Sequence, residues 1–324
     1  MPTEKPTRIT VQANFVLILY LLPGSNGALM ISADLLKTIE DGLSRKQGMK
    51  ITINQVQPLS GGDINLAYRL TSEDHNYFLK LNTTDRIPDL FETEAFGLEL
   101  LSRSCPLRVP TPLHYGHLGP ALFLVLEWIE KGDPTAKFWE IFARGLAALH
   151  RTTEGYFGLS QDNYIGSIPQ PNQPCLSWPE FYWSRRLEPL IQKAFDLGRI
   201  GTKGVRMGEK LAHVLPEIFP AEPPALLHGD LWAGNFQCDP EGKPCLYDPA
   251  VYFGHREMDL AMSLLFGGFD RNFYAHYREI HPLEPDWEKR VGICQLYPLL
   301  VHSILFGGSY IHQVEEILEA FRDR

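Results

Sequence analysis

Ala33, Leu35, Leu36, Ile39 and Leu43 recur at the three- and four-residue spacing of a single helix face, so the first well-patterned element is a helix. The period then shortens to that of strands, at residues 51–59, 66–70 and 77–81. Ser60-Gly-Gly-Asp63 and Ser72-Glu-Asp-His-Asn76 supply the turns between them. This predicts a meander of three antiparallel strands. Leu90, Glu94, Leu98 and Leu101 mark a helix over 90–101, and strands follow at 113–117 and 121–126. Five strands with one interposed helix make a small α+β lobe. Beyond Gly132 the pattern is helical at 137–150, 178–197, 205–218 and 256–266, with three further helices to the end. A Pro- and Gly-rich stretch at 155–174 and short strands within 226–252 interrupt it. The expected organisation is therefore an N-lobe over 30–131 and a larger, mainly helical C-lobe over 132–324, divided near Lys131-Gly-Asp-Pro134. Small ligands favour the cleft between two such lobes.

The apolar run Phe15-Val-Leu-Ile-Leu-Tyr-Leu-Leu22 is far shorter than the roughly 20 residues a membrane helix needs. Residues 1–29 read as a disordered extension. A secretory leader is the competing reading, because Lys5 and Arg8 precede the run and small residues follow it. Across 324 residues, 44% hydrophobic and 21% charged is a globular composition. Thirty basic against 39 acidic residues give a formal charge of -9, so nucleic acid and anionic membranes are not expected as partners. The five cysteines are scattered and form no C-x-x-C pair, which argues against a disulfide framework or structural zinc and for a cytoplasmic location.

The chemistry concentrates in Leu226-Leu-His-Gly-Asp-Leu-Trp-Ala-Gly-Asn235 and Leu246-Tyr-Asp-Pro-Ala250. Polar groups set among so many apolar neighbours cost a few kcal/mol each unless paired or holding a metal. Phosphoryl transfer needs such groups: a carboxylate to accept the proton of an attacking hydroxyl, and a carboxylate with an amide oxygen to hold Mg²⁺ on nucleotide phosphates. Asp230, Asn235 and Asp248 fit these three roles. The five-residue step from Asp230 to Asn235 matches the spacing of the protein-kinase catalytic loop.

At these residues the sequence resembles the aminoglycoside phosphotransferase and choline kinase-like superfamily. In the form His228-Gly-Asp-Leu-Trp-Ala-Gly-Asn235 it resembles the fructosamine kinase (ketosamine-3-kinase) family. Ser60-Gly-Gly-Asp-Ile-Asn65, Phe78-Leu-Lys80, Phe157-Gly158, Asn163-Tyr-Ile-Gly166 and Gly254-His-Arg-Glu-Met-Asp-Leu-Ala261 continue the likeness in order from about residue 50 to 265. The resemblance implies a bilobal protein-kinase-like α+β fold and an ATP- and Mg²⁺-dependent kinase acting on O3 of ketosamines such as fructosamine, ribulosamine or erythrulosamine. These are carried on free amines or protein lysines, and phosphorylation promotes deglycation. It further implies that Lys80 pairs with nucleotide phosphates and Glu94 holds Lys80, with Glu92 and Glu99 as rival partners. The turn at Gly61 and Gly62 would approach the phosphates, and the backbone of Glu127, Trp128 and Ile129 would bind adenine. Trp232 would stack on the sugar, while His228 and Asp259 brace the loop. Asp63 stands where some members carry cysteine, so a redox switch there is not implied. Pro249-Ala250 replaces the Phe-Gly of protein kinases, and no Ala-Pro-Glu loop end follows.

Two other readings compete: an aminoglycoside- or choline-type small-molecule kinase of the same fold, and a nucleotide-binding pseudokinase serving as an interaction module. No obligate protein partner is indicated. His114 and His117 read as surface histidines, and Trp139, Trp178, Trp183 and Trp287 as packing aromatics.

Overall fold

The computed structural model describes residues 31–60, 64–83 and 87–321. The chain divides into two compact units, Met1–Pro88 with Leu113–Glu127 and Asp89–Pro112 with Trp128–Arg324. The first unit carries helix α1 (Ala33–Gln47) and strands β1 (Gln55–Leu59), β2 (Leu66–Thr71), β3 (Asn76–Thr83), β4 (Pro112–Leu118) and β5 (Ala121–Glu127), in the sheet order β1-β2-β3-β5-β4. β3 lies antiparallel between β2 and β5, with Lys80 opposite Ala67 on one side and Leu124 on the other. Leu35, Ile39 and Leu43 bury the apolar face of α1 with Leu70, Leu79, Leu81, Phe123 and Val125. Each such side chain contributes roughly 1.5–3 kcal/mol.

Two expectations are corrected in this unit. The strand predicted from residue 51 begins at Gln55, because the Ile51 and Ile53 amides serve the helix: Ile51 N–H donates to Ser44 Oγ (2.9 Å) and Ile53 N–H to Glu40 Oε1 (2.8 Å). His114 is not a free surface histidine. Its Nε2 is buried and its ring packs 5.1 Å from Phe123, over Gly42 of α1.

The second unit contains α2 (Leu90–Ser104), α3 (Phe138–Leu149), β6 (Asn163–Ile165), β7 (Ile168–Gln170) and α4 (Trp178–Phe181). A π-helical segment (Tyr182–Leu187) follows, then α5 (Glu188–Asp196) and α6 (Thr202–Ile218). Next come β8 (Ala225–Leu227), β9 (Phe236–Cys238), β10 (Pro244–Leu246) and β11 (Tyr252–Gly254), and finally α7 (Glu257–Met262), α8 (Arg271–Ile280), α9 (Trp287–Phe306) and α10 (Tyr310–Ala320). The helix predicted over 178–197 is thus broken by a π turn. Pro189 has no N–H to give the Arg185 carbonyl, and that carbonyl accepts from Arg186 Nη1 instead (3.1 Å). Phe142 lies 5.1–5.4 Å from Phe236, Phe269 and Phe273, so α3, α8 and β9 meet in one aromatic core. Among the described residues, no helix is long and apolar enough to cross a membrane.

The strand pairing positions the site. β8 pairs with β11 and β9 with β10. The segment between β8 and β9 and the segment between β10 and β11 are therefore brought side by side, although more than ten residues separate them in sequence.

Two buried charge pairs flank the start of α7. Arg256 makes a two-pronged pair with Glu222 (2.8 and 2.7 Å), and Arg290 makes one with Glu257 (2.8 and 2.6 Å). His255 packs between Trp178 and Phe219, its Nε2 lying 3.7 Å from Glu222. Burial, only partly offset by the Glu222 carboxylate, pushes its pKa down to about 4. An unfolded chain would protonate this histidine near pH 6.5. The folded state therefore keeps its full advantage above that pH and loses it as pH falls from 6.5 towards 4, by on the order of 3 kcal/mol in all. His255→Phe, which keeps the aromatic packing, should flatten the fall in melting temperature over that range, measured by thermal denaturation at stepped pH.

Candidate active site

Asp230 and Asn235 lie between β8 and β9, and Asp248 lies between β10 and β11. One side chain joins the three. Asn235 Nδ2 donates to Asp230 Oδ2 (2.8 Å), to the Asp230 carbonyl (2.9 Å) and to the Asp248 carbonyl (3.4 Å). With its donors so committed, the amide's remaining polar atom, Oδ1, is an acceptor suited to a hard cation. Asp248 has φ 55, a left-handed conformation that costs a non-glycine residue about 1 kcal/mol or more. An amide oxygen and a carboxylate form the oxygen-only donor set that Mg²⁺ prefers when phosphates complete its shell. Among the described residues, no cluster of three or more His, Cys, Asp or Glu competes for a metal.

The backbone that carries Asp230 is held from below. Asp259, buried on α7, accepts His228 N–H on Oδ2 (2.8 Å) and Gly229 N–H on Oδ1 (2.9 Å). Its Oδ2 also accepts from His150 Nε2 (3.2 Å), and His150 Nδ1 sits 2.7 Å from the Tyr277 hydroxyl. The His228 ring bridges the two segments: Nδ1 accepts Asp230 N–H (3.3 Å), and Nε2 is 3.1 Å from the Tyr247 carbonyl. That pattern requires the neutral ring with its proton on Nε2. Burial lowers the His228 pKa and so favours this form. Gly229 has φ 83, and a Cβ there would lie 1.9 Å from the Ala250 carbonyl oxygen. Only glycine lets the loop pass this close to the segment after Asp248.

Enclosure raises the Asp230 pKa to about 7; the Asn235 hydrogen bond opposes the rise, and the Asp248 and Asp259 carboxylates add to it. A carboxylate with affinity for a proton near neutrality suits a general base. Trp232 stands at the mouth of the same loop, its ring 5.6 Å from Phe266 at 85°. It lies over Gly234, where a Cβ would come within 2.2 Å of the indole, which accounts for the Trp-x-Gly pattern. Phe266, held at φ 55, in turn contacts His302 (4.6 Å) and Tyr310 (6.0 Å).

The structure therefore gathers Asp230, Asn235, Asp248, Trp232, His228 and Asp259 in the second unit. Glu94 on α2, Trp128 and Ile129 belong to that unit too, and the Ile129 carbonyl accepts from Gln237 Nε2 (3.0 Å). Lys80, buried on β3, and Glu127, at the end of β5, belong to the first. Gly61 and Gly62 lie outside the described residues. His150, Tyr277, Phe266, His302 and Tyr310 were not found from sequence. For His150 the only signal is a histidine directly after the strongly apolar face of α3.

The fructosamine kinase family model matches residues 35–323. A Synechocystis protein described as a ketoamine kinase is 38% identical over 87% of this chain and 95% of its own. The chloroplastic protein-ribulosamine 3-kinase of Oryza sativa subsp. indica is 38% identical over 85% and 81%. A solved Haemophilus somnus protein described as a fructosamine-3-kinase superposes with a TM-score of 0.81, at 31% identity over 87% of this chain and 96% of that one. Solved aminoglycoside phosphotransferases, at 15% identity and TM-scores of 0.54 to 0.59, share the protein-kinase-like fold alone.

Gly229→Ala should lower turnover roughly 100-fold, because the loop must move by about an ångström to admit the methyl group. Steady-state kinetics beside a melting curve checks this. Turnover within twofold of wild type would contradict the close approach.

Proposed function

We propose that this chain, which belongs to the fructosamine kinase family, transfers the γ-phosphoryl group of ATP to the O3 hydroxyl of a ketosamine, with Asp230 as the base. The reading is carried by one observation, the closure of Asp230, Asn235 and Asp248 around the three hydrogen bonds of Asn235 Nδ2. Asp230 Oδ1 or Oδ2 takes the proton as the sugar oxygen bonds to the γ-phosphorus and the bond from phosphorus to the ADP oxygen breaks. Asn235 and Asp248 would hold Mg²⁺, which when bound neutralises phosphate charge. The faces of Trp232 and Phe266 suit a sugar ring and the cationic amine attached to it. Lys80, with Glu94 as its partner, is the group we assign to the nucleotide phosphates. The backbone of Glu127, Trp128 and Ile129 is assigned to adenine, and the turn at Gly61 and Gly62 to the phosphates.

Substrates would be fructosamine, ribulosamine or erythrulosamine on free amines or protein lysines. The phosphorylated adduct decomposes to release the amine, which makes the reaction a deglycation step. The family resemblance and the name of the rice relative, a protein-ribulosamine 3-kinase, support this class. A cytoplasmic location is part of the same proposal.

Incubation with ATP, Mg²⁺ and a mixture of ribulosamine, fructosamine and aminoglycosides, read by mass spectrometry, should yield phosphorylated ketosamine. Asp230→Ala should reduce that turnover by about 10²- to 10⁴-fold with the melting curve intact. Phosphate appearing on the aminoglycosides alone, or near-normal turnover by the variant, would overturn the assignment.

A further inference from the structure

The segment Asn163-Tyr-Ile-Gly166 has no part in the chemistry above, yet its first residue starts a buried polar chain. On the β6–β7 hairpin Asn163 sits opposite Gln170, and both are buried, as is Asn172 just beyond. Gln170 Nε2 donates to Asn163 Oδ1 (2.7 Å) and to the Ala250 carbonyl (3.1 Å). Asn163 Nδ2 donates to the Val251 carbonyl (2.9 Å). Asn172 Nδ2 donates to Asn163 Oδ1 (2.9 Å). The Arg186 end of the chain sets its direction. Arg186, fully buried in the π segment, gives Nη2–H to Asn172 Oδ1 (2.7 Å), and Tyr297 gives its hydroxyl proton to Gln170 Oε1 (2.7 Å).

A guanidinium can only donate. Asn172 must therefore turn its oxygen to Arg186 and its NH₂ to Asn163, which in turn aims the Asn163 NH₂ at Val251. Asn163 Oδ1 and the Ala250 carbonyl can only accept, so the Gln170 group facing them is its NH₂, and its Oε1 is left to take the Tyr297 hydroxyl. No ion pair to Arg186 forms among the described residues. Its guanidinium is packed 4.1 Å from the Tyr252 ring and 4.6 Å from Phe181, and Nη1 caps the Pro171 carbonyl (2.5 Å). Burying this many polar groups is costly unless something specific is gained. What the chain reaches is the two carbonyls that follow Asp248-Pro249. Ala250 is thereby fixed at both ends, its N–H bonding the His228 carbonyl (2.9 Å) and its C=O bonding Gln170. A left-handed aspartate persists only where its surroundings over-determine it. Asn235 takes the Asp248 carbonyl, and beyond Pro249 Gln170 and Asn163 take those of Ala250 and Val251.

We infer that Asn163 and Gln170, oriented by Arg186 through Asn172 and held by the Tyr297 hydroxyl, are positioning residues that hold the carboxylate of Asp248 in place for its cation. The inference rests on the assignment of Asp248 as a metal ligand under Proposed function. Groups that orient a ligand in this way typically change metal affinity by 10- to 100-fold when removed.

The test compares Gln170→Leu, Tyr297→Phe and, as a reference, Asp248→Ala. The readout is Mn²⁺ affinity in the presence of ADP, by titration calorimetry without turnover, together with the Mg²⁺ dependence of kcat and the KM for the ketosamine. Gln170→Leu should weaken Mn²⁺ binding about tenfold, and Tyr297→Phe severalfold. Both should raise the Mg²⁺ requirement, while the ketosamine KM stays within about twofold. If Gln170→Leu does not melt cooperatively, Tyr297→Phe decides by the same readouts. Wild-type Mn²⁺ affinity in the folded variants, with affinity lost in Asp248→Ala, overturns the positioning role. Retention of affinity by Asp248→Ala overturns the metal assignment itself and this inference with it.

Discussion

A single carboxylate, that of Asp259 on α7, holds the loop between β8 and β9 in place. It accepts two consecutive backbone N–H groups, from His228 and Gly229, one on each oxygen, and His150 supports it from behind. Hydrogen bonds to a charged acceptor are worth about 1.5–3 kcal/mol each, and a buried carboxylate without them would be strongly destabilising. The loop cannot leave without stranding the charge, and the charge cannot be buried without the loop. Asp230 owes its position to this mutual dependence, since it directly follows the two residues that are gripped.

Everything else at the site extends from that anchor. The β8–β11 and β9–β10 pairs lay the Asp248 segment alongside the held loop, and the bare Cα of Gly229 lets the two backbones touch. Asn235 and His228 then cross-link them by side chain to backbone, so that Asp230 and Asp248 become parts of one object. This is the pre-organisation phosphoryl transfer requires, because the reaction depends on placement and charge neutralisation more than on covalent chemistry.

Much of this was legible in the sequence because the informative residues are close together there. Asp230 and Asn235 are five residues apart, and polar groups in such an apolar stretch call for a reason. The helix period of α1 and the alternation of β2 were readable because each buries one face. What could not be read depends on distance or on local competition. His150 and Tyr277 join Asp259 only through tertiary packing, across 109 residues in the case of His150, and neither stands in a recognisable pattern. Asn163 was visible as part of a motif, but its target, the Val251 carbonyl 88 residues away, was not. The π turn arose from the missing N–H of Pro189, a local defect that an unbroken hydrophobic period conceals. Residues 51–53 looked like strand because apolar alternation cannot show that Ser44 and Glu40 have taken the Ile51 and Ile53 amides.

The kinetic cost of Asp259→Asn tests the dependence of the site on its anchor most directly. The substitution preserves shape, but it removes the charge and turns an NH₂ group towards one of the two backbone donors. The variant should still melt cooperatively, with kcat for ketosamine phosphorylation lowered about 100-fold. A wild-type kcat would show instead that the loop holds its geometry without the carboxylate.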